Sequence, residues 1–163
     1  MGEANIFTEG EARFLRELVR RKVDFMVVGL SAAALQGAPM VTQDVDLWFR
    51  NIDDPGMRAA LRKVGGIYVP PVGLYPPMFA GDNVECFDIV LHVHGIGDFR
   101  REIKKAISIE LGGVAIKVLP LDRVIASKKA LNRQKDRMVM PALKAAALAL
   151  ASKAGARQPP KCR

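Results

Sequence analysis

The chain has 163 residues, 50% of them of hydrophobic type, which excludes a disordered protein and fits one globular domain with a sizeable core. Its 25 Lys and Arg residues outnumber 17 Asp and Glu residues, and the resulting formal charge of +8 favours polyanionic partners such as nucleotides and RNA. No apolar run is long enough to cross a bilayer and no signal-peptide pattern is present, so we expect a cytoplasmic protein that does not bind membranes.

The first predicted elements are a helix, a strand and a second, short helix. Thr8 and Glu11 form the capping-box pattern that begins an amphipathic helix. The apolar run 23–28 predicts a buried strand, and the segment 31–36 is typical of a short helix closed by a glycine. A buried strand therefore leads directly into a helix.

The junction between this strand and this helix contains Gly29 and Ser31. Free N–H groups at a helix N-terminus, with a glycine that allows close approach and a hydroxyl beside it, suit a phosphate. A strand-to-helix turn also often needs glycine for its geometry alone. The junction is thus a candidate phosphate-binding turn, with a purely structural turn as the alternative.

Three aspartates form the next candidate site. Asp44 and Asp46 are one residue apart in a strand-forming run, which places both carboxylates on the same face of the strand. Such carboxylates repel each other unless a cation lies between them, and oxygen ligands suit a hard divalent cation. Asp88 interrupts a later apolar strand, 84–91, where a carboxylate is costly to bury without a neutralising group. We expect a magnesium site here, although the first pair alone also fits an amphipathic edge strand.

Between these strands, Asp54 and Pro55 have the pattern of an N-cap followed by the first helical residue, and a helix is expected up to Gly65. The segment 67–83 is rich in proline and aromatic residues, and no regular element is predicted there. We interpret it as a loop that contacts the substrate, with a poorly ordered loop as the alternative.

The C-terminal half predicts a β-hairpin over 107–118, turning at Gly112 and Gly113, and then helices over 121–133 and about 138–154. No internal repeat or linker divides the chain. The expected organisation is a single domain over residues 1–155, with a catalytic core over about 6–119, C-terminal helices over 120–155, and a flexible basic tail over 156–163.

The order of these motifs resembles the nucleotidyltransferase superfamily that includes DNA polymerase β. That superfamily has a Gly-Ser turn, an acid-x-acid strand about a dozen residues later, and a lone acid on a following strand. The segments 28–37, 42–47 and 127–136, the last with its Ser-Lys and Arg-x-Lys-Asp elements, are similar to small bacterial AbiEii-like and minimal nucleotidyltransferases. The resemblance covers about residues 23–143. It departs from the family at Leu30, which stands between Gly29 and Ser31 and is expected to narrow the approach to the phosphates.

The resemblance implies an α+β nucleotidyltransferase fold, with a twisted mixed β-sheet, helices on one face, and a C-terminal helical pair. It also implies a magnesium-dependent enzyme that transfers a nucleoside monophosphate from a nucleoside triphosphate, such as ATP, to a hydroxyl group. The roles implied are two Mg²⁺ ions on Asp44, Asp46 and Asp88, phosphate contacts from Gly29 and Ser31, and pyrophosphate neutralisation by Lys128, Arg133 and Lys135.

The acceptor and two rival interpretations remain open. The net charge and a basic cluster over residues 100–105 favour an RNA such as tRNA, then a partner protein, and last an aminoglycoside, whose cationic charge would be repelled. The rival in function is a non-catalytic module of the toxin–antitoxin or regulatory kind that binds a protein. The rival in site chemistry is zinc held by Cys86, Asp88, His92 and His94. A disulfide between Cys86 and Cys162 is not expected.

Overall fold

A computed structural model describes residues 7–156 of the chain. The predicted tail beyond residue 156, which includes Cys162, lies outside the described residues. The elements in chain order are α1 (Glu9–Arg20), β1 (Phe25–Val28), α2 (Gly29–Leu35), β2 (Val45–Phe49), α3 (Pro55–Lys63), β3 (Ile67–Val69), β4 (Met78–Ala80), β5 (Phe87–Val90), α4 (Phe99–Glu102), β6 (Ile107–Leu111), β7 (Val114–Val118), α5 (Leu121–Leu131) and α6 (Gln134–Ala156).

Five of the strands form one mixed sheet in the order β5-β2-β1-β7-β6. Strand β1 is antiparallel to β2 and parallel to β7, while β2 and β5 are parallel neighbours. The hairpin of β6 and β7 completes the sheet on the other side. Strands β3 and β4 form a separate two-stranded sheet. The predicted α+β class with a mixed sheet and a C-terminal helical pair is confirmed.

The two faces of the sheet are occupied differently, because side chains alternate along each strand. On one face, Phe87 of β5 lies 5.4 Å from the ring of Phe14 in α1, measured between ring centroids. On the other face, Trp48 of β2 is buried edge-on against Phe99, at 5.4 Å. Trp48 is therefore a packing residue, and Asp46, two residues before it, projects from that same face.

Local patterns in the sequence predicted several element boundaries. Thr8 caps α1, and the Glu11 side chain bonds back to the Thr8 backbone N–H, so the capping box is confirmed. Asp54 caps α3, with Pro55 as the first helical residue. The hairpin between β6 and β7 turns at two glycines with φ of +58° and +83°, which suits a two-residue turn.

Other boundaries differ from the prediction. Helix α2 begins at Gly29, directly after β1, so no separate turn precedes the helix. Helix α6 begins at Gln134 instead of near 138 and continues through Pro141. The segment 67–83 contains β3 and β4, because Tyr68 pairs with Phe79 and the Phe79 ring is buried in the core. None of the helices within residues 7–156 is long and apolar enough to span a membrane.

Candidate active site

The two central carboxylates of the site lie on neighbouring parallel strands. Asp46 of β2 and Asp88 of β5 are directly opposite each other in the strand register. Adjacent strands are about 4.8 Å apart, and side chains at the same register position project from the same face. Asp44 lies just before the first residue of β2 and is exposed, as is Asp88, whereas Asp46 is half-buried. The structure therefore brings the two strand aspartates together, with Asp44 at the edge of the same site.

The electrostatics of these carboxylates show that they influence one another. Burial raises the pKa of Asp46 to about 6, the negative charges of Asp88 and Asp44 raise it too, and the ammonium group of Lys128 opposes them. Burial and the charge of Asp44 also raise the pKa of Asp88. The charge of Asp46 is thus poorly compensated, which is the condition that a bound cation would relieve.

Gly29 allows the carboxylate of Asp46 to lie against the start of α2. Its φ of +66° is in the left-handed region, and a Cβ atom added there would lie 2.4 Å from Oδ2 of Asp46. Any side chain at this position would both strain the backbone and displace the carboxylate. The residue that was predicted as part of a phosphate turn therefore has a second, steric reason to be glycine.

Ser31 ties the start of α2 to strand β2. Its buried hydroxyl donates to the backbone oxygen of Val28 at 2.7 Å and accepts from the backbone N–H of Asp46 at 3.1 Å. A serine hydroxyl has one hydrogen to donate, and here that hydrogen is used within the protein. In this conformation Ser31 positions Asp46, and a contact with a phosphate would require it to release Val28.

The positive side of the site is a pair of cations held by one buried aspartate. Asp136 is 2% exposed. Its Oδ2 accepts from Nε of Arg133 at 2.7 Å and from the Arg133 backbone N–H at 3.1 Å, and its Oδ1 lies 3.6 Å from Nζ of Lys128. Hydrogen bonds from Arg133 lower the pKa of Asp136 to about 2. These contacts fix both cations next to the acidic residues.

Asp46, Lys128 and Arg133 line one cavity of about 250 Å³, whereas Asp44 and Asp88 are not part of its wall. Asp46 and Gly29 line one side of it, Lys128 and Arg133 line another, and the exposed side chains of His92 and His94 complete the wall. The two imidazole rings are 4.8 Å apart, edge to face. The sequence grouped both histidines with Asp88 in the zinc alternative, but it did not predict that they share a cavity with Asp46 and Lys128.

Three other predictions from the sequence can be compared with the geometry. Lys135 is exposed on the first turn of α6 and is not part of the cavity wall. Leu30 is half-buried and packs against the hydrophobic core, so its side chain does not narrow the cavity. Within residues 7–156, no three His, Cys, Asp or Glu side chains are arranged to hold a metal ion. Neither the zinc group of Cys86, Asp88 and the two histidines nor the predicted group of Asp44, Asp46 and Asp88 is assembled as a metal site in this conformation.

The donor set of the site nevertheless fits Mg²⁺, the cation that the resemblance implies. Carboxylate oxygens are its preferred protein ligands, and Mg²⁺ is usually bound through one or two carboxylates together with water and substrate phosphates. Asp44 and Asp88 are exposed, so their side chains can rotate toward an ion beside Asp46. The poorly compensated charge of Asp46 is the feature of this structure that supports the fit.

Neither protein-family models nor curated proteins match the chain. Two solved structures of the antibiotic-resistance factor ANT(2″)-Ia are similar to it, both at 13% sequence identity. A solution structure has a TM-score of 0.52, over 88% of this chain and 90% of that chain. A crystal structure in complex with adenylyl-2″-tobramycin has a TM-score of 0.46, over 82% of this chain and 94% of that chain. Together with the mixed sheet described above, the likeness to the solution structure shows that this chain shares the fold of ANT(2″)-Ia.

Proposed function

We propose that this protein is a magnesium-dependent nucleotidyltransferase, which transfers a nucleoside monophosphate from a triphosphate such as ATP to a hydroxyl group. The observation that carries the proposal is the register pairing of Asp46 with Asp88 on adjacent strands, where Asp46 lines a cavity that Lys128 also lines. A structural domain has no physical need for close, mutually repelling carboxylates, one of which lines a cavity. Phosphoryl transfer needs this combination of acids and fixed cations.

In this proposal Asp44, Asp46 and Asp88 hold the Mg²⁺, and we expect two ions. When bound, Mg²⁺ would neutralise charge on the triphosphate and lower the pKa of the attacking hydroxyl group. The assignment to AbiEii-like and minimal nucleotidyltransferases, made from the sequence, is part of the same proposal.

The residues around the cavity have different roles in the transfer reaction. The acceptor oxygen attacks the α-phosphorus, the bond to the β-phosphate breaks, and pyrophosphate leaves. Lys128 and Arg133 face the negative charge that develops on the pyrophosphate, as fixed cations would in such a site. Asp88, exposed at the same edge, is placed to take the proton of the attacking hydroxyl group. Gly29 lines the cavity into which the phosphates would bind and leaves room for the Asp46 carboxylate, and Ser31 acts through the position of Asp46.

The acceptor that we propose is an RNA such as tRNA, or in second place a partner protein. The net charge of +8 attracts polyanions and repels cationic small molecules. An aminoglycoside acceptor, the kind of molecule found with ANT(2″)-Ia, therefore comes third for this chain.

The test of the proposed function is calorimetric binding of a nonhydrolysable ATP analogue with and without millimolar Mg²⁺. We expect binding that requires Mg²⁺ and that is lost in Asp44→Ala and Asp46→Ala. Asp53→Ala is the matched control, since Asp53 is an exposed aspartate that does not line the cavity. An absence of any Mg²⁺-dependent signal in the unmodified protein would refute catalysis and favour the antitoxin-like, non-catalytic module.

Incubation of the protein with each labelled triphosphate, Mg²⁺ and total cell RNA or lysate then identifies the acceptor. Label in an RNA band supports the first choice, and label in a protein band supports the second. Label that appears only in small molecules contradicts the acceptor ranking.

A further inference from the structure

A second cavity, of about 460 Å³, lies between α5 and the start of α6. We call it the basic groove, and the residues that line it are Lys128, Lys129, Asn132, Arg137, Met140, Pro141 and Lys144. Positions 137, 140, 141 and 144 recur at helical spacing, so they form one stripe along α6. The groove therefore runs lengthwise along the two C-terminal helices.

The charge of the groove is of one sign only. Four of its seven lining residues are Lys or Arg, and none is Asp or Glu. Among the ion pairs of residues 7–156, Lys129, Arg137 and Lys144 have no carboxylate partner, and Lys129 and Lys144 are exposed. Unpaired cations along one groove attract a chain of negative charges more strongly than cations scattered over a surface do. The complementary ligand is a polyanion.

The groove adjoins the active-site cavity. Lys128 lines both cavities, so its side chain lies at their boundary, and Asp46 lines the active-site cavity. A chain bound along the groove would therefore have one end close to the active site. This geometry fits a polymer that is modified at or near its terminus.

The groove also offers acceptors of hydrogen bonds, which phosphates alone cannot use. Pro141 has no N–H group, so the backbone oxygen of Arg137 has no helical donor four residues further on. The exposed side-chain amide of Asn132 both donates and accepts. A partner that carries phosphates together with donor groups, as an RNA strand does with its bases and 2′-hydroxyls, matches this combination.

We infer that the basic groove is the docking surface for a single-stranded RNA end, whose phosphates contact Lys129, Arg137 and Lys144 and whose terminal hydroxyl group reaches the active site past Lys128. The inference rests on the proposed function, because it locates the acceptor of that reaction. It assigns RNA contact to the C-terminal helices and not to the basic residues near α4.

The test measures binding of a fluorescent single-stranded RNA of 20 nucleotides at several salt concentrations, without triphosphate or Mg²⁺. The groove variant is Lys129→Gln with Lys144→Gln. The control variant, Arg13→Gln with Lys63→Gln, removes the same charge from exposed positions on α1 and α3. Each phosphate contact contributes about 0.7 to the slope of log affinity against log salt for single strands. In the groove variant, we expect the slope of log affinity against log salt to become shallower by about 1.4 and the RNA affinity to fall on the order of tenfold. In the control variant, the RNA affinity should change by less than about twofold.

Three results would overturn the inference: no measurable RNA binding by the unmodified protein, equal losses in both variants, or a larger loss in Arg100→Gln with Lys104→Gln than in the groove variant. Binding of the ATP analogue with Mg²⁺ is measured on the same samples. Analogue binding that persists where RNA binding fails leaves the nucleotidyltransferase proposal standing and refutes only the docking surface. A labelled protein acceptor in the lysate experiment, without RNA binding, would also refute it.

Discussion

Replacement of Asp136 by Asn tests whether this buried aspartate positions the cations of the active site. Asp136 accepts three hydrogen bonds from Arg133 and lies 3.6 Å from the ammonium group of Lys128. Asn keeps the shape but loses the charge, and its NH₂ group would face donors on Arg133 or Lys128. Asp136→Asn should therefore release both cations from their present positions while the fold persists.

The expected losses of stability and of analogue binding in Asp136→Asn follow from the contacts that the substitution removes. Hydrogen bonds to a charged group contribute about 1.5–3 kcal/mol each when well made. Arg133 is 46% exposed, so water replaces part of the interaction. We expect the free energy of unfolding to fall by about 2 kcal/mol, and Mg²⁺-dependent binding of the ATP analogue to weaken by about ten- to a hundredfold, or ~1.4–2.8 kcal/mol.

The matched control is Glu102→Gln. Glu102 is fully buried and accepts from Arg123 at 2.8 and 2.9 Å, so it forms a similar carboxylate–guanidinium pair, but it does not line the cavity. Urea unfolding should show similar losses in both variants, and calorimetry should show a loss of analogue binding only in Asp136→Asn. If both variants bind the analogue within twofold of the unmodified protein, Asp136 stabilises the fold and does not position the cations.

Three further outcomes are expected. In Gly29→Ala, backbone strain should lower the free energy of unfolding by about 1–2 kcal/mol, and Mg²⁺-dependent binding of the ATP analogue should weaken. Gly113 has φ of +83° and open space around it, so Gly113→Ala should lower the stability measured by thermal unfolding and leave analogue binding unchanged. The pKa of Asp46 is raised to about 6, so analogue binding measured by calorimetry should be about tenfold weaker at pH 5 than at pH 8, because the protonated carboxyl is a poor ligand. Hydrogen bonds from Arg123 lower the pKa of Glu102 from 4.5 to about 2, so the stability it contributes is complete above about pH 4.5 and is lost as pH falls toward 2. Urea unfolding at pH 7 and pH 3 should show that acid lowers the free energy of unfolding less in Glu102→Gln than in the unmodified protein. An equal fall in both proteins would refute the contribution of the Glu102 charge to stability.

The features that the sequence predicted well are those decided by a few neighbouring residues. The capping box of Thr8 and Glu11, the cap of Asp54 before Pro55, and the Gly112–Gly113 turn each depend on contacts within four residues. In each case the nearby residues alone set the backbone conformation.

The remaining features depend on pairing between distant segments. The register that places Asp88 opposite Asp46 joins strands about 40 residues apart, and alternation within either strand cannot fix it. Asp88 is exposed as a whole residue, so the cost of burying its charge is smaller than a buried strand would impose, although partial burial still raises its pKa. The prediction of no regular element in 67–83 was wrong, because the prolines and aromatic residues of the segment do not reveal that Phe79 is buried in the core, where it supports the β3–β4 pair.

The sequence also did not predict which partners several polar side chains bind. The sequence placed Ser31 near a phosphate, but its hydroxyl bonds with Val28 and with the N–H of Asp46, which is fifteen residues away. In the same way, the sequence did not predict that Asp136 binds Arg133 and approaches Lys128 from a buried position. Such choices depend on which donors the fold brings together, and the chain order does not contain that information.

The two sides of the cavity differ in how their charges are compensated. Lys128 and Arg133 share a buried counter-ion in Asp136, whose pKa is lowered to about 2, whereas the pKa of Asp46 is raised to about 6 by burial and by its acidic neighbours. A group whose charge is uncompensated gains most when an opposite charge arrives. The acidic side should therefore bind a cation with a large gain, while a triphosphate without Mg²⁺ would face repulsion from the same carboxylates. Cation and nucleotide binding are thus expected to be strongly coupled, with each raising the affinity for the other by the same factor.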